Sequence, residues 1–91
     1  MSEIREALCE FGYEDSIVLE NPSFDNSIIG ISDDGRVVYN FNEMVKELME
    51  NENMSESEAI EFIEYNTLRA IPYMGKEAPI VMRYDRENLL W

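Results

Sequence analysis

The chain has no histidine and a single cysteine among its 91 residues. The missing histidine excludes Ser-His-Asp and Cys-His catalysis in their usual forms, and it also excludes the common zinc sites, which need histidine and several cysteines. One cysteine cannot form an internal disulfide, which is typical of a reducing compartment. Because Cys9 sits in a helical apolar pattern, we expect a small buried thiol rather than a reactive one.

Glycine is also scarce, and none of the four glycines belongs to a phosphate-binding motif. The stretches "SFDNS" and "SDDGR" offer oxygen ligands for calcium, but neither has the ligand spacing of a calcium loop. We therefore expect no enzyme activity, no metal and no cofactor. A carboxylate pair such as Asp25 with Asp33 is the enzymatic alternative, although chance proximity among 20 acidic residues explains such a pair better.

Long apolar runs are missing as well. No stretch approaches the roughly 20 apolar residues that a membrane-spanning helix needs. The opening "MSEIREALCE" lacks the basic region and the apolar region of a signal peptide. The sequence therefore predicts a cytoplasmic protein with no membrane partner.

Basic residues are few, with 7 against 20 acidic residues, for a net charge of −13. Binding to nucleic acid or to anionic membranes needs Lys and Arg to neutralise phosphates, so we expect no direct nucleic-acid binding. The acidity is concentrated in residues 42–64, with 8 acidic residues and 1 basic residue, whereas residues 65–91 are nearly neutral. A protein partner, itself basic or able to handle nucleic acid, is the interaction that this charge favours.

The apolar pattern predicts one α+β domain over residues 1–91, in the order α-β-β-β-α-α-β, with a three- or four-stranded, mainly antiparallel sheet and about three helices. The first helix begins near Ser2 and ends at Gly12. Four stretches rich in β-branched residues predict strands: 16–20, 27–32, 36–40 and 79–84. The "DDG" turn before residue 36 predicts that the second and third strands form an antiparallel hairpin.

Two capping signals predict the central helices. Asn40 with Glu43 begins a helix that runs to about Asn51, and Ser55 with Glu58 forms a capping box for the next. The second of these helices must end before Pro72, because a proline pushes the preceding residue out of the α region.

Each central helix carries a row of glutamates, and seven residues on these faces are the candidate partner-binding surface: Glu43, Glu47, Glu50, Glu58, Glu61, Glu64 and Leu68. Glutamates three apart repel by roughly 0.2 to 0.5 kcal/mol per pair, and no basic residue lies four positions on to offset the second row. One interpretation is a solvated face that serves only solubility. The other is a mimic of nucleic-acid phosphates that docks into a basic groove.

Asn66 falls inside the apolar stripe of the second central helix when the helix is drawn at 100° per residue. An unpaired buried amide costs roughly 1 to 3 kcal/mol. We therefore predict that Asn66 is a buried polar residue with a structural role, bonded to backbone near Pro72 and Tyr73, rather than a ligand.

Residues 15–82 carry a resemblance, most distinctive in "EFIEYNTLRAIPY" and "KEAPI". They resemble short acidic proteins of unknown function found in gut bacteria and in their prophages and mobile elements. The resemblance implies cytoplasmic expression and a mobile-element origin, and it supplies no catalytic residue. Anti-CRISPR and anti-restriction proteins are often small and acidic, so an anti-defence role is the expectation attached to that origin.

Two functional hypotheses follow. The first is a non-enzymatic protein-binding module, a phage or mobile-element inhibitor of a nucleic-acid-handling host protein, acting through its acidic helical surface. The alternative is a housekeeping interaction protein or homo-oligomer whose acidity serves solubility. In that case the contact is expected in the C-terminal segment, because "ENLLW" at residues 87–91 ends in three large apolar residues.

Overall fold

The computed structural model describes residues 3–13, 15–20, 22–83 and 89. The α+β class is confirmed, with three helices and a three-stranded mixed sheet. In chain order the elements are α1 Glu3–Glu10, β1 Ile28–Ile31, β2 Val37–Asn40, α2 Phe41–Asn51, α3 Glu56–Phe62 and β3 Ile80–Met82. A π-helical segment at Ile63–Leu68 continues α3, and short 3-10 turns lie at Asp25–Ser27 and Ile71–Met74.

The central strand of the sheet is β2, with β1 on one side and β3 on the other. The predicted hairpin is confirmed, because β1 and β2 are antiparallel and Gly35 turns the chain between them with a φ of 82°. β3 is parallel to β2, with Val38 opposite Ile80. The prediction of a mainly antiparallel sheet is therefore wrong for β3, whose connection to β2 runs through both central helices, as parallel strands require.

The predicted strand at 16–20 is absent, which changes the predicted order of elements. Side chains from other parts of the chain form hydrogen bonds with the backbone of this segment. The N–H of Leu19 donates to the Tyr39 hydroxyl at 2.8 Å, and the Arg5 guanidinium donates to the Leu19 carbonyl at 3.2 Å. Because these partners occupy its polar groups, Leu19 needs no neighbouring strand.

The last predicted strand, 79–84, is present as the shorter β3, and residue 84 lies outside the described part of the chain. Pro79 is buried just before β3, where a missing N–H does least harm. Most of the C-terminal contact segment, 87–91, also lies outside the described residues. Its one described member, Leu89, is 70% exposed.

Both capping predictions for the central helices are confirmed. The Asn40 side chain accepts from the Glu43 N–H at 3.0 Å. At the start of α3 the Ser55 hydroxyl accepts from the Glu58 N–H, and the Glu58 carboxylate accepts from the Ser55 N–H, at 3.2 and 2.9 Å. These bonds satisfy N–H groups that a helix leaves unpaired at its beginning.

The core includes side chains of the sheet and of the central helices. Tyr39 of β2 is fully buried, and so are Met44 and Leu48 of α2 and Ile63 at the start of the π-helical segment. Burial raises the pKa of the Tyr39 phenol to about 12, because the charged phenolate loses its hydration there.

Arg5 ties α1 to the chain that precedes the sheet. Its Nε donates to both Asp25 carboxylate oxygens, at 2.9 and 3.1 Å, and its Nη1 donates to Glu20 at 2.9 Å. The bonds to Asp25 and then to Glu20 raise the Arg5 pKa above its ordinary value. Asp25 is thus engaged by a base, while Asp33 is exposed in the hairpin turn, so the structure gives no support to a carboxylate pair at these two positions.

Cys9 differs from its prediction, since the thiol is exposed. Leu8 is the buried residue of α1, and successive helical residues point about 100° apart, which turns Cys9 toward solvent. None of the helices formed by the described residues has the length and apolar character needed to cross a membrane.

Candidate protein-binding groove

A groove of about 550 Å³ lies along α3 and the π-helical segment. Its described lining combines carboxylates with aromatic rings and consists of Met54, Glu58, Glu61, Phe62, Tyr65 and Asn66. We call this the acidic groove. None of the described lining residues is basic, so nothing in that lining neutralises the two carboxylates.

The π-helical segment determines which side chains reach the acidic groove. A π-helix bonds each N–H to the carbonyl five residues back, and it therefore rotates less per residue than an α-helix. A wheel drawn at 100° per residue misplaces the residues of such a segment. Ile63 is buried at its beginning, as the wheel indicates, whereas Asn66, which the wheel places on the apolar side, is exposed.

The prediction that Asn66 is buried is wrong, because the residue is exposed. Its side-chain amide donates to the carbonyl of Phe62 at 3.1 Å, so it has a backbone partner, but one turn back in its own helix rather than near Pro72. In an α-helix the N–H of residue 66 would serve that carbonyl. In the π-helical geometry that backbone N–H bonds one residue further back, so the Asn66 side chain supplies the donor to the Phe62 carbonyl instead.

Two of the seven predicted partner-binding residues, Glu58 and Glu61, line the acidic groove. The Glu58 carboxylate also caps α3, and the hydrogen bond from the Ser55 N–H is the main cause that holds its pKa below the usual value. Glu61 is exposed, and no other described residue forms an ion pair or hydrogen bond with its side chain. Glu61 is therefore the carboxylate of this groove that is available to a partner.

Glu64 does not line the groove and is bonded within the fold. Arg83, just after β3, donates to its carboxylate at 2.7 Å and lies 4.2 Å from the centre of the Phe41 ring. No basic residue lies four positions on from any acid of this row, as the sequence shows. The base that pairs with Glu64 comes from a distant part of the chain.

The acidic residues of α2 lie outside the groove lining. Glu47 accepts from the Ser27 hydroxyl and the Asn26 N–H, and Glu43 pairs with Lys46 at 3.5 Å. Glu50 is exposed, and no described residue pairs with it. The remaining candidate, Leu68 of the π-helical segment, is half-buried and packs against the core.

Sequence reasoning did not select Met54, Phe62 or Tyr65 as site residues. A signal for Tyr65 was present, since at 100° per residue it falls between Glu58 and Glu61 on the helical wheel. An exposed aromatic ring between two carboxylates is typical of a contact surface. Phe62 is half-buried and packs against the core, as its apolar character alone indicates, so its role as a groove wall had no separate signal.

The chemistry that the groove offers is recognition of a cation. A carboxylate pairs with a guanidinium or ammonium group, and the face of an aromatic ring attracts the same groups. Within the described part of the chain, no three acidic or cysteine side chains come together in a way that could hold a metal ion. With Glu61 and Tyr65 both in its lining, the groove suits a basic side chain.

Comparison with known proteins adds no family or fold relative. No protein-family model, curated protein or solved structure matches the chain. The resemblance to acidic proteins of mobile elements stays a prediction.

Proposed function

We propose that the chain is a non-enzymatic protein-binding module that receives a basic segment of a protein partner in the acidic groove. In this proposal it is a phage or mobile-element inhibitor of a nucleic-acid-handling host protein. It acts by occupying Arg and Lys side chains that would otherwise contact phosphate.

The main support for this proposal is the position of Glu61 in the acidic groove. Its carboxylate lies in a concavity beside the exposed ring of Tyr65, with no base among the described lining residues. A guanidinium entering there gains a charge-assisted hydrogen bond and an aromatic face together. The net charge of −13 adds long-range attraction for a basic surface and raises the rate of association.

The class of partner follows from the same chemistry. Proteins that handle nucleic acid contact phosphates with Arg and Lys, and these side chains pair with carboxylates through the same donors. The predicted mobile-element origin supplies the setting in which such a host protein is a target.

The test is capture of host proteins on the immobilised chain, followed by competition with nucleic acid. Nucleic acid should release a captured partner, because both ligands need the same basic residues, and Glu61→Gln should weaken capture. Glu50→Gln removes the same charge outside the groove and should leave capture intact. A partner that holds the chain and its nucleic acid together would contradict the proposal.

A second candidate function is homo-oligomeric assembly, and an apolar surface at α1 and β1 favours it. Phe11 is 78% exposed and Ile29 is 49% exposed. Phe11 also lines a small pocket of about 180 Å³ together with residues of α1 and β1. β1 has a strand neighbour on one side in the described sheet, so its other edge is available to a second copy. Sedimentation equilibrium should show a dimer that Phe11→Glu dissociates; a monomer at high concentration would exclude this candidate.

A further inference from the structure

A second depression, of about 330 Å³, borders the acidic groove. The two share Phe62 and Asn66 in their linings, so these residues form a ridge between them. The far side of the ridge is mainly apolar and includes Val18, Leu19, Pro22, Ala70 and Met74. We call this the apolar depression.

The charge of the apolar depression is already neutralised. Its acidic lining residue, Glu20, is paired with Arg5 at 2.9 Å. Val18 and Met74 are half-buried and pack against the core, which makes the floor firm, and Ala70 is exposed with a side chain too small to fill the space. The depression thus offers an apolar side chain of a partner a place to be buried.

The ridge limits the distance between the two parts. The acidic groove and the apolar depression lie on adjacent faces of one helical segment, and a helix with its side chains is about 10 Å wide, so the two parts lie within about 10 Å of each other. An extended peptide advances about 3.3 Å per residue, so residues three positions apart span the ridge. The bond from Asn66 to the Phe62 carbonyl holds the side chain of Asn66 in place on the ridge.

We infer that the acidic groove and the apolar depression form one composite site for an extended segment of a partner protein, with a basic residue and a large apolar residue about three positions apart. This inference rests on the proposed function and adds a sequence requirement to it. Once the basic residue is bound, the apolar residue binds intramolecularly, so the two contacts reinforce each other.

Two peptides test the composite site: acetyl-GSRGSLGS, with arginine and leucine three positions apart, and acetyl-GSRGSSGS, which lacks the leucine. Each is titrated into the 15N-labelled full chain and followed by NMR. We expect the leucine peptide to bind roughly tenfold more tightly, as burial of one large apolar side chain implies. Both peptides should shift the signals of Glu61 and Tyr65, and only the leucine peptide should shift those of Val18 and Ala70.

A pair of uncharged variants locates the leucine contact. Ala70→Gln extends a polar side chain into the apolar depression and should remove the tenfold gain, while the peptide without leucine binds as before. Ser57→Gln, on an exposed position of α3 outside both linings, should keep the gain.

The outcomes separate the two proposals. Equal affinities for the two peptides, with shifts at Glu61 and Tyr65 only, would overturn the composite site and leave the cation-binding groove standing. Shifts at neither surface would overturn both. A gain from leucine that survives Ala70→Gln would also overturn the composite site, because the leucine would then lie elsewhere.

Discussion

Two regions of this domain differ in how their carboxylates are paired. Near α1, Asp25 and Glu20 are held by one guanidinium, and Tyr39 next to them is fully buried with its hydroxyl bonded to backbone. Along α3, Glu61 and Tyr65 are exposed in a groove with no base in its described lining. The polar groups near α1 are thus bonded within the fold, whereas Glu61 and Tyr65 in the acidic groove are exposed to solvent.

The paired bases lie outside the acidic groove. Four bases form ion pairs with carboxylates in the described part of the chain: Arg5, Arg36, Lys46 and Arg83. None of these four lines the acidic groove. With only 7 bases for 20 acids, the fold cannot neutralise every acidic surface, and the groove is one that it leaves charged. The comparison therefore predicts large stability effects near α1 and binding effects without stability effects in the groove.

The largest effect is expected for Arg5→Ala, which removes a donor from the carboxylates of Asp25 and Glu20 and from the carbonyl of Leu19. Loss of several charge-assisted hydrogen bonds should lower the free energy of unfolding by about 3 kcal/mol. Urea denaturation measures this change. Arg69→Ala removes an exposed base that pairs with no described residue and should change stability by less than about 0.5 kcal/mol. Equal losses of stability in the two variants would show that the bonds of Arg5 do not stabilise the region near α1.

Alkaline pH should lower the stability of the fold through ionisation of Tyr39. The pKa of its phenol is about 12 in the fold and about 10 when unfolded, so between these values the unfolded chain binds fewer protons and stability falls as pH rises. The loss should reach roughly 2 to 3 kcal/mol near pH 12. Urea denaturation at several pH values measures it, and Tyr39→Phe should lack this dependence. A wild-type curve parallel to that of the variant would contradict the prediction.

A smaller effect is expected at the start of α3. Ser55→Ala removes one half of the capping box and should cost about 1 kcal/mol, measured by thermal or urea unfolding. The pKa of Glu58 should rise only part of the way toward its ordinary value in the same variant, because the bond from the Ser55 hydroxyl is lost while the bond from the Ser55 N–H, the main cause of the lowered pKa, remains. Ser57→Ala, in the first turn of α3 but not at the cap, is the matched control and should not destabilise the fold. Similar losses for both serines would show that the cap is not what stabilises the helix start.

The smallest stability effect is expected for Asn66→Ala. The residue is exposed, so loss of its bond to the Phe62 carbonyl should cost roughly 0.5 kcal/mol, at the low end for a hydrogen bond. Asn42→Ala, at an exposed asparagine of α2, gives the baseline in the same unfolding measurement. A loss of several kcal/mol for Asn66→Ala would mean that the amide is buried, as the sequence pattern had indicated.

Features encoded by neighbouring residues could be predicted from the sequence. The "DDG" hairpin and the cap at Ser55 depend on residues within a few positions of each other, and both are confirmed. The segment 16–20 has strand composition, but its backbone partners are side chains from elsewhere in the chain, which no local pattern reveals. The parallel pairing of β3 and the bond from Arg83 to Glu64 are equally nonlocal.

The acidic groove could be predicted in part for the same reason. A wheel at 100° per residue places Glu58 and Glu61 correctly, because α3 is a regular α-helix where they lie. The same wheel places Tyr65 beside them. Asn66 was misplaced because the π-helical segment changes the rotation per residue, and the sequence pattern carried no sign of that change.

The most direct measurement of the central claim is the binding of a fluorescein-labelled tetra-arginine peptide to Glu61→Gln and Glu50→Gln, followed by fluorescence anisotropy. Both variants lose one negative charge at an exposed position, and both should keep wild-type stability to within about 0.5 kcal/mol. We expect several-fold weaker binding for Glu61→Gln only, and weaker binding of the wild type as salt rises from about 50 to about 200 mM. Equal affinities for the two variants would contradict this expectation, because the groove would then be no more than part of a uniformly acidic surface.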